Sequence, residues 1–276
     1  MTQRVGLKRN TNDEFYTKPE VASTLLAAVS RMYELRSFDV VVEPSAGQGG
    51  FSDRLRGQVR RLDAFDISPR LSYIKQEDFL QKNVDEYLDK RVLVIGNPPF
   101  GRQSSIARKF IHRCGMFAQV IAFVLPRSFK KESMKSSFPV TFHLVHEQSV
   151  PDNAFTVNGV DHNVPCVFQI WERRETERIQ AKPSVARGFA FITDPGEPDC
   201  ISIRRVGANA GHIDTTCITK TVTTHYFIKL DSSMNKLWFI QKYTPPSVRE
   251  NTVGPRSISK GELVAHINRL HILKPL

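Results

Sequence analysis

The segment Phe38-Asp39-Val40-Val41-Val42-Glu43-Pro44-Ser45-Ala46-Gly47-Gln48-Gly49-Gly50-Phe51 restricts the fold more than any other stretch. Its β-branched run lacks polar alternation, so it suits a strand buried on both faces, as in a parallel sheet. The run passes at once into a glycine-rich turn, and a helix follows over about 51–55. Strand, glycine turn and helix in that order make a Gly-x-Gly loop credible as a ligand loop. Gly47 and Gly49 let the backbone approach a ligand with no Cβ in the way. The plain alternative is a tight turn and nothing more.

Residues 92–95 form another apolar run, which stops at Asn97-Pro98-Pro99-Phe100. Two adjacent prolines fix two φ angles and remove two N–H donors, so the strand cannot continue. The residue before a proline is pushed towards extended geometry, which holds Asn97 as well. The outcome is a stiff corner displaying an amide, a proline carbonyl and an aromatic ring. These groups suit a planar ring with an exocyclic amine. The Asn97 side-chain oxygen and the Pro98 carbonyl accept from the amine's two N–H groups, and Phe100 offers a stacking face. An aromatic amine is a poor nucleophile because its lone pair is delocalised. Two acceptors on its hydrogens draw the nitrogen towards tetrahedral geometry. A turn that merely ends a strand is the plain alternative here.

Asn97-Pro98-Pro99-Phe100 resembles the catalytic motif of amino-methyltransferases that use S-adenosylmethionine. Most act on adenine N6 in DNA or RNA; relatives with similar motifs methylate guanine N2 or a protein glutamine amide. The stretch from Glu43 and Pro44 through Ala46 and Gly47 to Gly49 resembles the cofactor loop of class I methyltransferases. Together the motifs cover about 14–171. They imply an α/β, Rossmann-like class I methyltransferase sheet ending in two late antiparallel strands, at 142–147 and 166–171. In that reading Glu43 orients the cationic amino-acid end of the cofactor, directly or through water. Asp66, followed by Ile67, ends the strand 61–67 about 20 residues beyond the glycine turn, where an acid reaches ribose hydroxyls in nucleoside-binding α/β folds. Asp63 competes, but it lies inside the strand and is expected to face solvent. Asp78-Phe79 resembles the family's adenine site, with Glu77 as the alternative acceptor. Phe15-Tyr16-Thr17-Lys18-Pro19 resembles the N-terminal cofactor motif, which implies that Tyr16 and Thr17 lie near the methionine end. Phe15 could equally staple the helix that follows. That helix runs to about 33 from Thr17-Lys18-Pro19-Glu20, read as a capping box with proline in the first turn.

The formal charge of +11 and a pI near 9.6 point to a polyanionic partner, with nucleic acid foremost. A scattered basic surface kept for solubility is the bland alternative. Arg102, Arg108 and Lys109 flank the proposed base pocket, and Arg127 and Lys130 fall where the family often has a substrate-side loop. No apolar run approaches the roughly 20 residues that span a membrane. Residues 1–10 lack the apolar core of a signal peptide. Cys114, Cys166, Cys200 and Cys217 are far apart without Cys-x-x-Cys spacing and read as reduced thiols. His143 and His146 have no ligand partner at metal spacing. These features suggest an intracellular protein, cytoplasmic or nuclear, without a metal.

The domain reading is a loose basic N-terminus at 1–13, including Lys8 and Arg9, and a methyltransferase domain at 14–173. A linker at 174–187 then leads to a small C-terminal α+β appendage at 188–276. In the appendage Arg204 and Arg205 belong to a basic, glycine-containing loop near other basic and aromatic residues. That mixture suits a nucleic-acid surface for target recognition. Ser259-Lys260-Gly261-Glu262 caps a final helix. The leading expectation is an adenine-N6 methyltransferase, with DNA ahead of RNA on motif order. An RNA (cap or internal adenosine) enzyme, a protein glutamine methyltransferase and a non-catalytic nucleic-acid-binding module are the alternatives.

Overall fold

The computed structural model describes residues 15–214 and 216–273, which fall into two compact units divided between residues 180 and 181. The expected loose N-terminus, with Lys8 and Arg9, lies outside the described residues. In chain order the larger unit contains β1 (Tyr16–Thr17), α1 (Pro19–Met32), β2 (Val40–Glu43), α2 (Ser52–Leu55), β3 (Leu62–Asp66), β4 (Lys75–Gln76) and β5 (Val92–Gly96). It continues with α3 (Ser105–Cys114), β6 (Val120–Pro126), α4 (Glu132–Lys135), β7 (Phe142–Ser149), β8 (Phe155–Val157), β9 (Val160–His162) and β10 (Cys166–Arg173).

Seven of these strands form one sheet in the order β4-β3-β2-β5-β6-β10-β7. Neighbours from β4 to β6 pair in parallel, while β10 pairs antiparallel with both β6 and β7. Only β10 therefore runs against the rest. The two expected late strands are β7 and β10, which pair antiparallel, with β10 inserted between β6 and β7. The valine run behaves as its composition demands. Val40 and Val42 join Val92, Val94, Phe110 and Ile111 in the core on one face, and Val41, Leu93 and Ile95 are equally buried.

The start of α1 differs from expectation. Its N-cap is Lys18 without a side-chain cap bond. Thr17 is taken by a separate three-stranded sheet, β1-β8-β9, where it pairs with Phe155, and the Lys18 N–H donates to the Ala154 carbonyl at 3.0 Å. Strand pairing thus supersedes the capping box. Asp63 is also corrected. It is 4% exposed, and its carboxylate accepts from Arg61 Nη2 at 2.6 Å and from the Tyr87 hydroxyl at 3.0 Å. A buried carboxylate needs such partners, and neither was visible from strand alternation.

The charged segment after β10 docks onto the larger unit. The Arg178 guanidinium donates to the carbonyls of Pro139, Phe142, Lys135 and Phe138.

The smaller unit contains β11 (Phe189–Ile192), β12 (Ile201–Arg204), β13 (Ile213–Asp214), β14 (His225–Leu230), α5 (Lys236–Lys242) and α6 (Lys260–Ile272). Its sheet runs β11-β14-β12-β13, antiparallel throughout. α6 begins with the expected capping box: the Ser259 N–H donates to Glu262 Oε2 at 2.8 Å, and the Glu262 N–H to Ser259 Oγ at 3.3 Å. Leu263, Val264 and Ile267 of α6 share a core with Ile201, Ile203 and Ile228. One expectation fails here. Cys200 and Cys217 form a disulfide with Cα atoms 6.3 Å apart, whereas Cys114 and Cys166 are free and buried. Pairing across 17 residues depends on how the loop after β13 folds back, which spacing alone does not reveal.

Candidate functional site

The C-terminal ends of β2, β3 and β5, with the turn after β4, surround a cavity of about 570 Å³. The strand order reverses between β2 and β5, so this is the crevice where open α/β sheets bind ligands. The volume falls within the usual range for small-molecule sites. Tyr16, Thr17, Glu43, Pro44, Ala46, Gly47, Asp66, Ile67, Asp78, Phe79, Asn97, Pro98 and Phe100 all line it.

Gly49 does not line it. A Cβ there would stand 2.7 Å from both Leu71 Cδ1 and the Tyr73 hydroxyl, and its φ is +79°. Gly49 is needed for the turn to pack on Tyr73 rather than for access to the cavity. Gly47, with φ +52°, faces the other way: its Cβ would meet the Tyr16 ring at 2.7 Å.

Three carboxylates of the site, Glu43, Asp66 and Asp78, are held by backbone N–H groups. Glu43, 2% exposed, accepts from the Ser52 N–H at 2.7 Å and the Phe51 N–H at 3.4 Å, at the start of α2. Burial pushes its pKa up to about 8; the Ser52 and Phe51 bonds oppose that rise, and nearby Asp66 adds to it. Asp66 accepts from the Gly47 N–H and the Ser68 N–H, each at 2.8 Å. Each carboxylate oxygen has a second lone pair, so these bonds fix the glycine turn without exhausting the acceptors. Asp78 is exposed and accepts from the Leu80 N–H at 3.0 Å. Phe79 is chiefly a core ring. It lies nearly parallel to Phe110 with centroids 6.4 Å apart and contributes one side to the cavity wall.

At the corner after β5 the Asn97 amide is polarised. Its Nδ2 donates to the Phe15 carbonyl at 2.8 Å. Its Oδ1 is buried and has no hydrogen-bond partner among the described residues. The Phe100 carbonyl accepts from the Ile106 and Ala107 N–H groups at 3.2 and 3.3 Å, so the first turn of α3 braces the corner. Gly101 makes that possible with φ +68°, where a Cβ would come within 2.5 Å of Ile106 Cγ1. The Phe100 ring faces Phe15, with centroids 6.5 Å apart and an interplanar angle of 22°.

Phe15 is the residue whose part the motifs did not reveal. Its ring meets Phe100, Phe155 and His162, and its carbonyl holds Asn97. None of these groups lies on α1. The Thr17 hydroxyl is likewise buried without a partner among the described residues.

None of Arg102, Lys109, Arg127 and Lys130 lines the cavity. Arg102 and Lys109 are exposed, and Lys130 lies 3.7 Å from Glu147. In the smaller unit Arg204 Nε donates to the Val206 carbonyl at 3.1 Å. Arg205 donates to the Val222 carbonyl at 2.8 Å and stacks over the Tyr226 ring at 4.7 Å. His143 and His146 are engaged with the Thr176 carbonyl and Gln148. Among the described residues no cluster of three or more His, Cys, Asp or Glu is disposed to hold a metal, and no helix is long and apolar enough to cross a membrane.

No protein family and no curated protein matches the chain. Solved structures similar to it include the 23S rRNA methyltransferase ErmE, 18% identical over 60% of this chain and 72% of that one, with a TM-score of 0.43. The N-methyltransferase NodS from Bradyrhizobium japonicum is 17% identical over 56% of this chain and 96% of its own, with a TM-score of 0.40. At TM-scores below 0.5 these likenesses carry no argument about this chain. The α/β, Rossmann-like sheet stands on its own strand order.

Proposed function

We propose that the larger unit is an S-adenosylmethionine-dependent methyltransferase acting on the N6 amine of adenine in nucleic acid. One pair of observations carries the reading: Asn97 lines a cavity that also contains Glu43, Gly47 and Asp66, and its side-chain carbonyl oxygen is buried without a partner among the described residues. A buried acceptor without a donor costs about 1–3 kcal/mol. A ligand amine recovers that cost, and the Pro98 carbonyl stands next in the chain to take its second hydrogen.

Glu43, Gly47, Tyr16 and Thr17 fit the amino-acid end of the cofactor, Asp66 and Ile67 its ribose, and Asp78 and Phe79 its adenine. Bound there, the cofactor supplies an electrophilic methyl group on a sulfonium. The chain does the rest by positioning. Asn97 and Pro98 hold the target amine in line, and Phe100 packs on its ring. Transfer would exchange the S–C bond of the cofactor for an N–C bond on the amine held by Asn97 and Pro98, with a neutral thioether as the leaving group and the surplus N–H proton lost to solvent. No strong base is required, because the nitrogen becomes acidic only after attack. Orientation of this kind can supply about 7–11 kcal/mol of barrier lowering.

A polyanionic substrate is supported by charge. Residues 181–276 contain 13 Lys and Arg against 7 Asp and Glu. Two of those cations rest on aromatic faces, Arg205 on Tyr226 and Lys260 on Phe191 at 4.3 Å. Rings and cations so mixed suit a nucleic-acid strand, and this unit is the proposed target reader. The target base would leave its stack at a cost of a few kcal/mol, least in a single strand.

The test is incubation with methyl-labelled cofactor and matched DNA and RNA pools, followed by digestion to nucleosides. Label in N6-methyladenine is the expected result, and the labelled pool names the polymer. Label in protein alone would make the acceptor a side-chain amide. No label, together with no cofactor binding by calorimetry, would leave a binding module.

A further inference from the structure

The orientation of Asn97 is set from outside the central sheet. β1 is held by β8 through the pairs Tyr16↔Thr156 and Thr17↔Phe155, and β8 in turn by β9. Lys18 Nζ lies 2.8 Å from the Asp161 carboxylate at the hairpin, adding an ion pair to the same attachment. The strap rests on the glycine turn: the Tyr16 ring covers Gly47, and the Thr17 carbonyl would be 3.3 Å from a Cβ at Gly50. Where the strap begins, the Phe15 carbonyl accepts from Asn97 Nδ2 at 2.8 Å.

A primary amide has one accepting end and one donating end. Rotating the Asn97 amide by half a turn would set its oxygen against the Phe15 carbonyl, two acceptors face to face, and would turn an NH₂ group towards the ligand amine. With the amino end committed to Phe15, the oxygen is fixed at the opposite side of the amide, in a residue that lines the cavity. We propose that Phe15, through its main-chain carbonyl, is the positioning residue for Asn97, and that docking of the β1-β8-β9 sheet makes the corner competent to grip an amine. This rests on the reading of Asn97 as the amine acceptor. It adds a control: a docked strap fixes the acceptor, and an undocked strap leaves the amide free to turn.

The decisive variant is Asn97→Asp, which keeps the accepting oxygen and loses only the donor. As a carboxylate it is repelled by the Phe15 carbonyl. Once protonated, its O–H donates to Phe15 and its second oxygen accepts in the place of Oδ1. The expected ratio of variant to wild-type kcat is low at neutral pH and rises about tenfold per pH unit on descent, the slope of a single protonation. Cofactor affinity stays within about threefold. A variant as active as wild type at neutral pH, with a flat ratio, overturns the proposal.

A second measurement reads the contact without any activity. In the NMR spectrum of the full chain, the Asn97 side-chain amide protons should exchange slowly and resonate apart from solvated amides. In Thr156→Pro, which interrupts the central strand of the strap sheet, they should return to solvated behaviour while the β2 and β5 backbone signals persist. A solvated Asn97 amide in the wild-type chain overturns the positioning role even if methyl transfer is found. Slow exchange with no methyl transfer to any acceptor places the failure in the functional reading instead.

Discussion

Cofactor binding should expel a proton, and Glu43 is its source. The carboxyl is 2% exposed, and burial raises its pKa to about 8. A group with that value is about nine-tenths protonated at pH 7. The ammonium of an amino acid placed against it favours the carboxylate and drives the pKa down. Binding at pH 7 then releases up to about 0.9 proton per site, and about 0.1 at pH 9, where the carboxyl is already ionised. Calorimetric titration with S-adenosylmethionine in two buffers of different ionisation enthalpy reads this number directly. Glu43→Gln, which cannot ionise, should bind more weakly and release none. A wild-type release of zero at pH 7, or an unchanged release in Glu43→Gln, refutes the reasoning. Stability without ligand follows with a defined sign. The folded value lies above the ordinary 4.5, so the folded chain holds the extra proton. The contribution is fully present below about pH 4.5 and is lost as pH rises through about 8. At most it amounts to about 5 kcal/mol.

Two further outcomes test the scaffold. Gly101→Ala forces a Cβ against Ile106 at a positive φ and should lower stability by about 2 kcal/mol or more, seen as a reduced Tm, with methyl transfer reduced as the corner shifts. Cys200→Ser should cost the smaller unit about 3 kcal/mol under oxidising conditions, and denaturant curves of wild type and variant should converge once a reductant is added.

The sequence was most legible where a short stretch determines its own geometry. The valine run and its glycine turn, and the corner at Asn97-Pro98, restrict the backbone locally, and each stands at the cavity. What depends on distant pairing was not legible. Thr17 looks like a helix cap until Phe155, far along the chain, claims it for a strand. Asp63 looks exposed by alternation until Arg61 and Tyr87 supply the partners that let it be buried. Gly47 and Gly49 look alike in sequence, yet one faces Tyr16 beside the cavity and the other Tyr73. Phe15 was ambiguous because its main-chain carbonyl, which no side-chain pattern encodes, makes the contact with Asn97.

The account depends most on the accepting oxygen of Asn97, and single-turnover methyl transfer by Asn97→Ala examines it most directly. With the nucleic-acid pool that wild type labels, the variant should bind S-adenosylmethionine nearly as tightly and transfer no measurable methyl group. Transfer by Asn97→Ala at the wild-type rate would contradict the account.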